Sequence, residues 1–295
     1  MASVPDIVLV PTYSRPEYLH LCLEAISKAE GGRSKAVWVA RDCHTGDGTK
    51  YAREANDIRA VVSDFRSSLP GMRFIERNPH SYCGNSFNVL ELYREALNSD
   101  AEFVYLVEDD VIVEKDFFRW HEAVQDKGDY FCSIARYICR SRKVPDGAET
   151  YIESDRDYAS LGVCFRRDNL KLIEPHCCSE YYRNMSAYIA RKFPNSWLGA
   201  EFSEQDGLIQ RVIHESGMLT AWACMPRAYH IGIHGYHRSR GARLTGSLTE
   251  KIRVLKELSQ TGKLKDMAKD FKELDDIDTP RGFTPAWDEL RVFHG

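Results

Sequence analysis

The sequence predicts an α/β fold in which helices flank a mixed, mostly parallel sheet. Along the first half of the chain, short apolar runs alternate with segments of helical period, the pattern of strands joined by crossover helices. With 295 residues, of which 43% are hydrophobic and 28% charged, the chain is long enough for one large α/β domain or two small ones. Polar loops follow the predicted strands, and in open α/β sheets that edge is where ligands bind.

The elements of the first half follow from the spacing of their apolar residues. The predicted strands are residues 7–10, 36–40, 72–75 and 103–107. Segments 15–29 and 86–97 are predicted helices, because their apolar residues recur on one face at helical spacing. The strand at 103–107 therefore ends directly at three consecutive acids, Glu108, Asp109 and Asp110.

The second half is less regular. Residues 130–135 and 219–225 are predicted strands, 140–157 is predicted to be a long polar loop, and a helix is predicted to begin near 202. Apolar residues at helical spacing from 247 to 274, interrupted near Gly262, predict two helices that pack on the main domain. For the tail 275–295 two placements stay open, over the body of the protein or over a neighbouring chain.

Composition and charge argue against several classes of protein. The formal net charge of −4 gives no overall attraction to nucleic acid or membranes, so a polyanion would have to meet a local basic patch such as 136–143. At this net charge the patch is better explained as a solvated loop. The nine cysteines form no Cys-x-x-Cys pair, which argues against a zinc ribbon and a secreted disulfide scaffold. The apolar run near the N-terminus is too short for a signal peptide or membrane span, so we expect a reduced, cytoplasmic protein without a membrane partner.

The acids Glu108, Asp109 and Asp110 allow two interpretations. Carboxylate oxygens are hard ligands suited to Mg²⁺ or Mn²⁺, and such ions keep open positions that substrate phosphates fill. Alternatively, an acidic cluster follows a buried strand because the next helix prefers negative charge at its N-terminus. The segment alone does not choose between a metal site and a helix start.

Two loops at the same edge also have unusual compositions. The first strand continues into 11–16, Pro-Thr-Tyr-Ser-Arg-Pro, whose hydroxyls, aromatic ring and guanidinium are suited to an anion or a base. The competing interpretation is an ordinary helix start, with Ser14 as the cap and Pro16 in the first turn. The second strand continues into 41–49, where two glycines and two aspartates predict a turn first and a binding site second.

Two acids, Glu204 and Asp206, lie where the helix near 202 is predicted to begin. Near a helix N-terminus an ionised carboxylate is favoured, and it can accept a proton as a general base. Ser203 followed by Asp206 three residues later is also a capping-box pattern, in which the acid only satisfies backbone donors. Taken alone, the segment favours capping over catalysis.

Three histidines, His230, His234 and His237, occur within eight residues. Two glycines in the same segment disfavour a regular helix, so the spacing of the first two does not indicate a helical zinc pair. A strand leading to a Gly-rich loop fits better, with one imidazole completing a coordination sphere begun elsewhere. Three arginines between 238 and 243 provide the charge that a diphosphate needs. The alternative is a polar loop with solvated histidines.

In their order and spacing these motifs resemble the nucleotide-sugar-dependent glycosyltransferases of the GT-A fold, and the N-terminal part is most similar to the family 2 type. The resemblance rests on 8–16, Asp42, 108–110, 204–206 and 226–232. The Glu-Asp-Asp form, with an acidic helix later in the chain, also resembles the N-acetylglucosaminyltransferase I group. The resemblance implies a GT-A (Rossmann-like) domain over 1–245, with a nucleotide-binding half 1–115 and an acceptor half 116–245, and a C-terminal helical extension over 246–295.

The resemblance also implies roles for individual residues. Asp110 would bind the metal ion, Mn²⁺ or Mg²⁺, together with the diphosphate, and His230, or next His234, would be a further metal ligand. Asp206 would be the general base, with Glu204 as its substitute. The residues assigned to the nucleotide are Pro11, Thr12, Tyr13, Arg15, Asp42, Gly84, Asn85, Glu108 and Asp109.

The function implied by the resemblance is metal-dependent transfer of a sugar from a nucleoside-diphosphate sugar, taken as UDP-linked, to a hydroxyl acceptor. We expect inversion, because Asp206 would take the proton of a hydroxyl that attacks from the face opposite the leaving group. We expect a single transfer, because the sequence lacks the Gln-x-x-Arg-Trp motif of the processive family 2 synthases. A glycan, a small molecule or modified nucleic acid would each provide the hydroxyl. Retaining transfer, sugar nucleotidyl transfer and non-catalytic binding of nucleotides or glycans stay open as alternatives.

Overall fold

The computed structural model describes residues 4–43, 48–78, 82–136, 151–155, 157–232 and 244–261. Its strands are β1 Ile7–Thr12, β2 Ala36–Arg41, β3 Arg73–Glu76, β4 Phe103–Leu106, β5 Val111–Val113, β6 Tyr130–Ile134, β7 Tyr151–Ser154, β8 Val163–Arg166, β9 Leu219–Ala223 and β10 Ala228–His230. Its α-helices are α1 Pro16–Lys28, α2 Gly48–Phe65, α3 Asn85–Leu97, α4 Phe117–Gln125, α5 Ser179–Arg183, α6 Met185–Lys192, α7 Gln205–Ser216 and α8 Leu248–Thr261.

Eight of the strands form one mixed sheet in the order β3-β2-β1-β4-β8-β6-β9-β7, and β10 pairs with β5 in a separate two-stranded sheet. In the large sheet, β1 runs parallel to β2 and β4, β2 to β3, and β6 to β9. Strand β8 is antiparallel to β4 and β6, and β7 is antiparallel to β9. The predicted fold class, an α/β fold with a mixed, mostly parallel sheet flanked by helices, is confirmed.

Strand β1 shows why the sequence forms this sheet. All six of its residues are buried, so the strand is a nearly continuous apolar run, as expected when both faces are covered. Val8 and Val10 belong to a core cluster shared with α1 and α2, whereas Ile7 and Leu9 belong to a second cluster shared with α3 and α7. Because side chains alternate along a strand, the core is divided into one layer on each face of the sheet.

The prediction of a polar loop over 140–157 is wrong at its end, where β7 pairs with β9 at the edge of the sheet. The ring of Tyr151 packs edge-on against the ring of Tyr130, with centroids 5.7 Å apart. An edge strand is hydrogen-bonded on one side only and tolerates polar residues, which is why no apolar run marks it. Arg136, at the start of the basic patch 136–143, is only 5% exposed, and the rest of that patch lies outside the described residues.

Helix α8 has the predicted core-facing stripe. Leu255 is fully buried in the core cluster of α1, and Leu248 and Ile252 pack against that cluster. Lys256 Nζ lies 3.2 Å from Glu24 Oε1 and joins α8 to α1. The second predicted helix, to residue 274, and the tail 275–295 lie outside the described residues. The domain boundary at 245 stays a prediction.

Two properties of the described chain bear on its surroundings. No helix in the described ranges is long and apolar enough to cross a membrane. The eight cysteines in those ranges are free thiols, and five of them are buried. The buried thiols therefore act as small apolar side chains of the core.

Candidate active site

The carboxyl ends of β1, β2 and β4 lie side by side. Each strand is followed by residues whose side chains can bind a ligand or an ion. Thr12 ends β1, Asp42 follows β2, and the acidic triplet (Glu108, Asp109 and Asp110) follows β4. The Asp42 amide donates to the Thr12 carbonyl over 2.9 Å, which extends the parallel pairing beyond the strands. Parallel pairing therefore gathers these residues at one edge of the sheet.

The acidic triplet forms a turn between two buried strands. The amide of Val111 donates to the carbonyl of Glu108 over 2.9 Å, and β5 begins at once. The next helix, α4, begins only at Phe117, with Asp116 at its N-cap position. The interpretation of the triplet as a helix start is therefore wrong, because its carboxylates precede the first turn of that helix.

Arg15 joins the two most buried carboxylates of the triplet. Asp109 and Asp110 are 2% and 5% exposed. The Arg15 guanidinium forms ion pairs with both, and its contact with Asp110 Oδ2 is 2.6 Å long. Thr12 Oγ1 donates to Asp109 Oδ2 over 2.7 Å. Both acids are thus neutralised within the protein by Arg15, a residue that the family resemblance assigned to the nucleotide.

The three acids differ in how readily they lose a proton. Burial acts to raise the pKa of Asp110, but the charges of Arg15 and His230 hold that pKa well below its usual range. Burial raises the pKa of Asp109 to about 6 against the opposing effect of Arg15. Burial, together with the charge of Asp110, raises the pKa of Glu108 well above its usual range. Asp110 is therefore the acid that keeps its full negative charge and is best suited to hold a cation.

Strand β10 carries His230 to Asp110. Antiparallel pairing with β5 aligns His230 with Val111, and the Ile231 amide donates to the Asp110 carbonyl over 2.8 Å. His230 Nε2 consequently lies 3.2 Å from Asp110 Oδ2. The predicted strand in this segment is confirmed, and of the two candidate histidine ligands His230 is the one placed at the triplet. His234 lies outside the described residues.

Gly232 leaves room beside these two side chains. A Cβ at this position would lie 2.3 Å from Asp110 Oδ2 and 2.7 Å from His230 Nε2. Both separations are far shorter than van der Waals contact, so any side chain larger than hydrogen would displace the carboxylate or the imidazole. From the sequence, Gly232 served as an argument against a helix and as part of the segment 226–232 of the family resemblance. Its closeness to Asp110 could not be predicted, because the two residues are far apart along the chain.

Asp110 and His230 fit a divalent cation. Adjacent ligands of an octahedral ion with bonds of about 2.2 Å are roughly 3 Å apart. The observed separation of Oδ2 and Nε2 is 3.2 Å. Within the described ranges, no three His, Cys, Asp or Glu side chains are grouped to hold an ion by themselves. Two protein ligands leave positions for phosphate oxygens, which is how Mg²⁺ and Mn²⁺ are usually held.

Asp42 fixes the start of α3 beside the triplet. Its carboxylate accepts hydrogen bonds from the amides of Cys43, over 2.9 Å, and Gly84, over 2.7 Å. Gly84 has a φ of 105°, a conformation that favours glycine, and α3 begins at the next residue, Asn85. Asn85 Nδ2 then donates to Glu108 Oε1 over 3.2 Å. The loop before α3 thus connects the end of β2 to the acidic triplet.

The segment between β1 and α1 differs from the predicted helix start. Helix α1 begins at Pro16, one residue after the predicted start. Arg15 and not Ser14 is at the N-cap position, and no side chain caps the helix. Pro11 is buried within β1, and Tyr13 beyond its end is half-buried. Tyr13 thus follows β1 at the same edge of the sheet as the triplet, and its contact with a nucleotide stays a prediction.

The start of α7 excludes the capping-box interpretation. The helix begins at Gln205, with Asp206 in its first turn, and Glu204 at the N-cap position makes no capping bond with its side chain. Ser203 Oγ pairs instead with Ser186 Oγ over 3.0 Å. Ser203 and Asp206 therefore do not cap the helix reciprocally, and the Asp206 carboxylate is available for another role.

The Asp206 carboxyl group has the properties of a proton acceptor. Ser160 Oγ donates to its Oδ2 over 3.4 Å, while Oδ1 is buried and has no hydrogen-bond partner among the described residues. Burial raises the pKa of Asp206 to about 7, and the charge of Glu204 adds to the effect. A general base works best when its pKa is close to the working pH.

The N-terminus of α7, which carries Asp206, is hydrogen-bonded to the N-terminus of α3, which contacts the triplet. Ser86 Oγ, in the first turn of α3, donates to Gln205 Oε1 over 2.6 Å and accepts from the Gln205 amide over 3.1 Å. Asn85, which precedes Ser86, contacts Glu108, and Asp206 follows Gln205. Burial is the main cause of the raised pKa of Glu108, and the charge of Asp206 contributes to it. No sequence pattern indicated Ser86 or Gln205.

Arg211 holds the loop in front of α7 and was also missed from the sequence. Its side chain is fully enclosed, with 2% exposure. Its guanidinium donates, over 2.6 to 2.9 Å, to the carbonyls of Leu198, Gly199, Phe202 and Gly207. Because all four acceptors are backbone atoms, no residue pattern in the sequence marks them.

Replacing Arg211 by methionine is expected to lower the free energy of unfolding by about 3 kcal/mol, because buried carbonyls lose their donors. Denaturant unfolding measures the effect. Arg191→Met on α6 is the matched control, since Arg191 is 57% exposed and its loss should change stability by about 0.5 kcal/mol or less. Equal losses in the two variants would contradict the role of Arg211.

Comparison with known proteins gives similarity of fold. No protein-family model and no curated protein matches the chain. Among solved structures, TarS 1–349 of S. aureus in complex with UDP-GlcNAc has a TM-score of 0.49 and 14% identity, over 91% of this chain and 71% of that one. The galactosyltransferase LgtC, in complex with donor and acceptor sugar analogues, has a TM-score of 0.44 and 16% identity, over 74% of this chain and 73% of that one.

A third similar structure is the glycosyltransferase GlyE of Streptococcus pneumoniae, with a TM-score of 0.47 and 10% identity, over 94% of this chain and 66% of that one. Against another structure of TarS 1–349 the chain spans 60% of that fragment, and against a structure of TarS without that truncation it spans 40%. At these identities and TM-scores the likeness says nothing about activity, which has to be argued from the site.

Proposed function

We propose that this protein is a glycosyltransferase, which moves a sugar from a nucleoside-diphosphate sugar to a hydroxyl group of an acceptor. The observation that carries the proposal is the arrangement at Asp110, whose Oδ2 lies 3.2 Å from His230 Nε2 beside the bare backbone of Gly232. Asp206, a proton acceptor, belongs to the same site. A cation site for a diphosphate and a base for a hydroxyl group are the two requirements of this reaction.

The nucleotide is proposed to bind along the ends of β1 and β2. Each oxygen of Asp42 accepts one backbone amide, and a carboxylate oxygen can accept a second hydrogen bond, from a base N–H or a ribose hydroxyl. Tyr13 and Thr12 at the end of β1 border the same space, and Tyr13 offers a ring for stacking on a base. Uridine is the proposed nucleoside, in line with the resemblance of the sequence to UDP-sugar enzymes.

The diphosphate is proposed to lie against Asp110 and His230. These residues would hold Mn²⁺ or Mg²⁺, which when bound supplies positive charge to the leaving diphosphate. Asp110 suits this role because it keeps its negative charge, and Gly232 because it leaves room beside both ligands. Asp109 and Glu108 are proposed to support the site through Thr12 and Asn85, to which they are hydrogen-bonded.

Asp206 is proposed to be the general base, as in the N-acetylglucosaminyltransferase I group that the sequence resembles. The acceptor oxygen forms its bond to the anomeric carbon while the bond from that carbon to the diphosphate oxygen breaks. The leaving oxygen keeps the bonding electrons, and the hydroxyl proton passes to the Asp206 carboxylate. Attack opposite the leaving group inverts the anomeric configuration. Glu204, exposed at the N-cap of α7, is the substitute base.

A screen of nucleoside-diphosphate sugars tests the proposal. We expect the wild-type protein to release nucleoside diphosphate from one donor class, faster with an acceptor hydroxyl compound, and to stop when the metal is chelated. Pyrophosphate release from a nucleoside triphosphate and a sugar phosphate would indicate a nucleotidyltransferase instead. Thermal stabilisation by UDP and Mn²⁺, without release from any donor with any acceptor, would contradict transfer and indicate a binding protein.

A further inference from the structure

Arg15 has contacts that the proposed reaction does not explain. Its guanidinium bonds to Asp109 Oδ1 and to Asp110 Oδ2, the latter over 2.6 Å. His230 Nε2 approaches the same Asp110 oxygen to 3.2 Å. The oxygen that a metal ion needs is therefore bonded to a positive charge that belongs to the protein itself.

The two carboxylates need such a charge whenever no ion is bound. Their side chains are 3% and 8% exposed, and an unpaired carboxylate at that depth is strongly destabilising. A guanidinium stays charged at any pH that the protein meets, so Arg15 is a permanent partner for Asp109 and Asp110. A divalent ion on Asp110 would lie close to this fixed charge and be repelled by it.

The Arg15 side chain is partly exposed, whereas its main chain is held at the start of α1. Its carbonyl accepts from the Leu19 amide over 3.1 Å, which fixes the backbone at the start of α1. The guanidinium carbon lies 5.2 Å from the centre of the Tyr18 ring, and the side chain is 23% exposed at the site. A long side chain with a fixed backbone changes partners by changing rotamer.

We propose that Arg15 is an exchangeable counter-ion, which neutralises Asp109 and Asp110 in the ion-free protein and moves from Asp110 to the diphosphate when the donor binds with its metal ion. This inference rests on the proposed function. The guanidinium fork matches the oxygens of a phosphate as well as those of a carboxylate. A diphosphate that lies between the ion and Arg15 would offset the repulsion between these two positive charges, because it is negatively charged. Metal and nucleotide therefore help each other to bind, by the same factor in both directions.

Mn²⁺ binding without nucleotide tests this inference directly. Electron paramagnetic resonance measures free Mn²⁺ in titrations of the wild type and of Arg15→Met, which keeps much of the side-chain length and removes the charge. We expect Arg15→Met to bind Mn²⁺ alone about tenfold more tightly than the wild type. In calorimetry with Mn²⁺ present, the same variant should bind UDP about tenfold more weakly, because the fork for the diphosphate is gone.

Two further variants make the result specific to Arg15. Arg59→Met removes an arginine that pairs with Glu76 at the surface and should leave both affinities unchanged. Arg15→Lys keeps the positive charge but lacks the guanidinium fork. It should therefore bind Mn²⁺ alone more weakly than Arg15→Met does, and bind UDP less tightly than the wild type does. If circular dichroism shows that Arg15→Met is unfolded, Arg15→Lys decides, and wild-type affinity for UDP in that variant would overturn the inference.

The outcomes separate this inference from the proposed reaction, because neither affinity requires sugar transfer. Unchanged affinities for Mn²⁺ and UDP in Arg15→Met, in a protein whose wild type transfers sugar, would overturn the exchange and leave the transferase proposal standing. The expected changes in a protein that releases nucleotide from no donor would support the exchange and contradict transfer.

Discussion

Replacing Asp206 by asparagine is expected to lower the rate of sugar transfer by about a thousandfold, because an amide cannot take the proton of the acceptor hydroxyl. Asparagine has the same shape, and its carbonyl oxygen can still accept from Ser160 as Asp206 Oδ2 does. Binding of the donor should therefore be unchanged. Steady-state release of nucleoside diphosphate measures the rate, and calorimetry with UDP and Mn²⁺ measures donor-site binding.

The pH dependence of the wild type provides the second half of this prediction. Burial raises the pKa of Asp206 to about 7, and only the deprotonated form accepts a proton. The rate at low substrate concentration should therefore rise as the pH rises through about 7 and then level off. The residual rate of Asp206→Asn should lack this rise. Glu204→Gln should keep it, because Glu204 is exposed and is not the main base.

A surface carboxylate provides the matched control for the loss of charge. Asp168→Asn makes the same chemical change at an acid paired with Lys171 on the surface, and its rate should equal that of the wild type. A rate for Asp206→Asn within about tenfold of the wild type, with the same pH dependence, would contradict the assignment of the base. Retaining transfer, which needs no carboxylate at the acceptor, would then be the better account.

The strands that assemble the site are predictable because they are buried. Strands β1 and β4 are buried throughout and β2 is buried in part, so each appears in the sequence as a short apolar run followed by polar residues. Strand β7 lies at the edge and carries no such run. Helix α2 begins at Gly48, within residues that predict a turn, and so its start gives no helical signal.

Contacts between distant segments are less predictable than the segments themselves. Asp110 and His230 stand out as metal-ligand types near strand ends, but Arg15 and Asp110 are 95 positions apart, and only the fold brings them together. Local capping patterns were misleading for a related reason. Ser14 and Ser203 each have suitable chemistry, yet the helices begin one residue further on than those caps require. Tertiary contacts, such as that of Ser203 with another helix, decided the outcome.

Replacing Asp110 by asparagine is expected to abolish metal-dependent transfer, with a loss of about a thousandfold in rate. Of the three acids in the triplet, Asp110 alone has a pKa held well below its usual range, by Arg15 and His230 against the effect of burial, and so it carries the charge that a cation requires. A neutral amide oxygen is a much weaker ligand for Mn²⁺ or Mg²⁺. Mn²⁺ titration in the presence of UDP, followed by electron paramagnetic resonance, should show the loss of binding directly.

Gly232→Ala reaches the same site without changing its charge. A Cβ 2.3 Å from Asp110 Oδ2 must displace the carboxylate or the imidazole, so Mn²⁺ binding should fall although both ligands remain. Gly217→Ala is the control that separates this effect from a loss of stability. It strains a left-handed turn, because Gly217 has a φ of 69°, but a Cβ there would have nothing within 4 Å. Its Mn²⁺ affinity should therefore equal that of the wild type. Both Asp110→Asn and Gly232→Ala could instead bind Mn²⁺ and turn over donor like the wild type. The cation would then have to be held elsewhere, and the assignment of the metal site to Asp110 and His230 would be wrong.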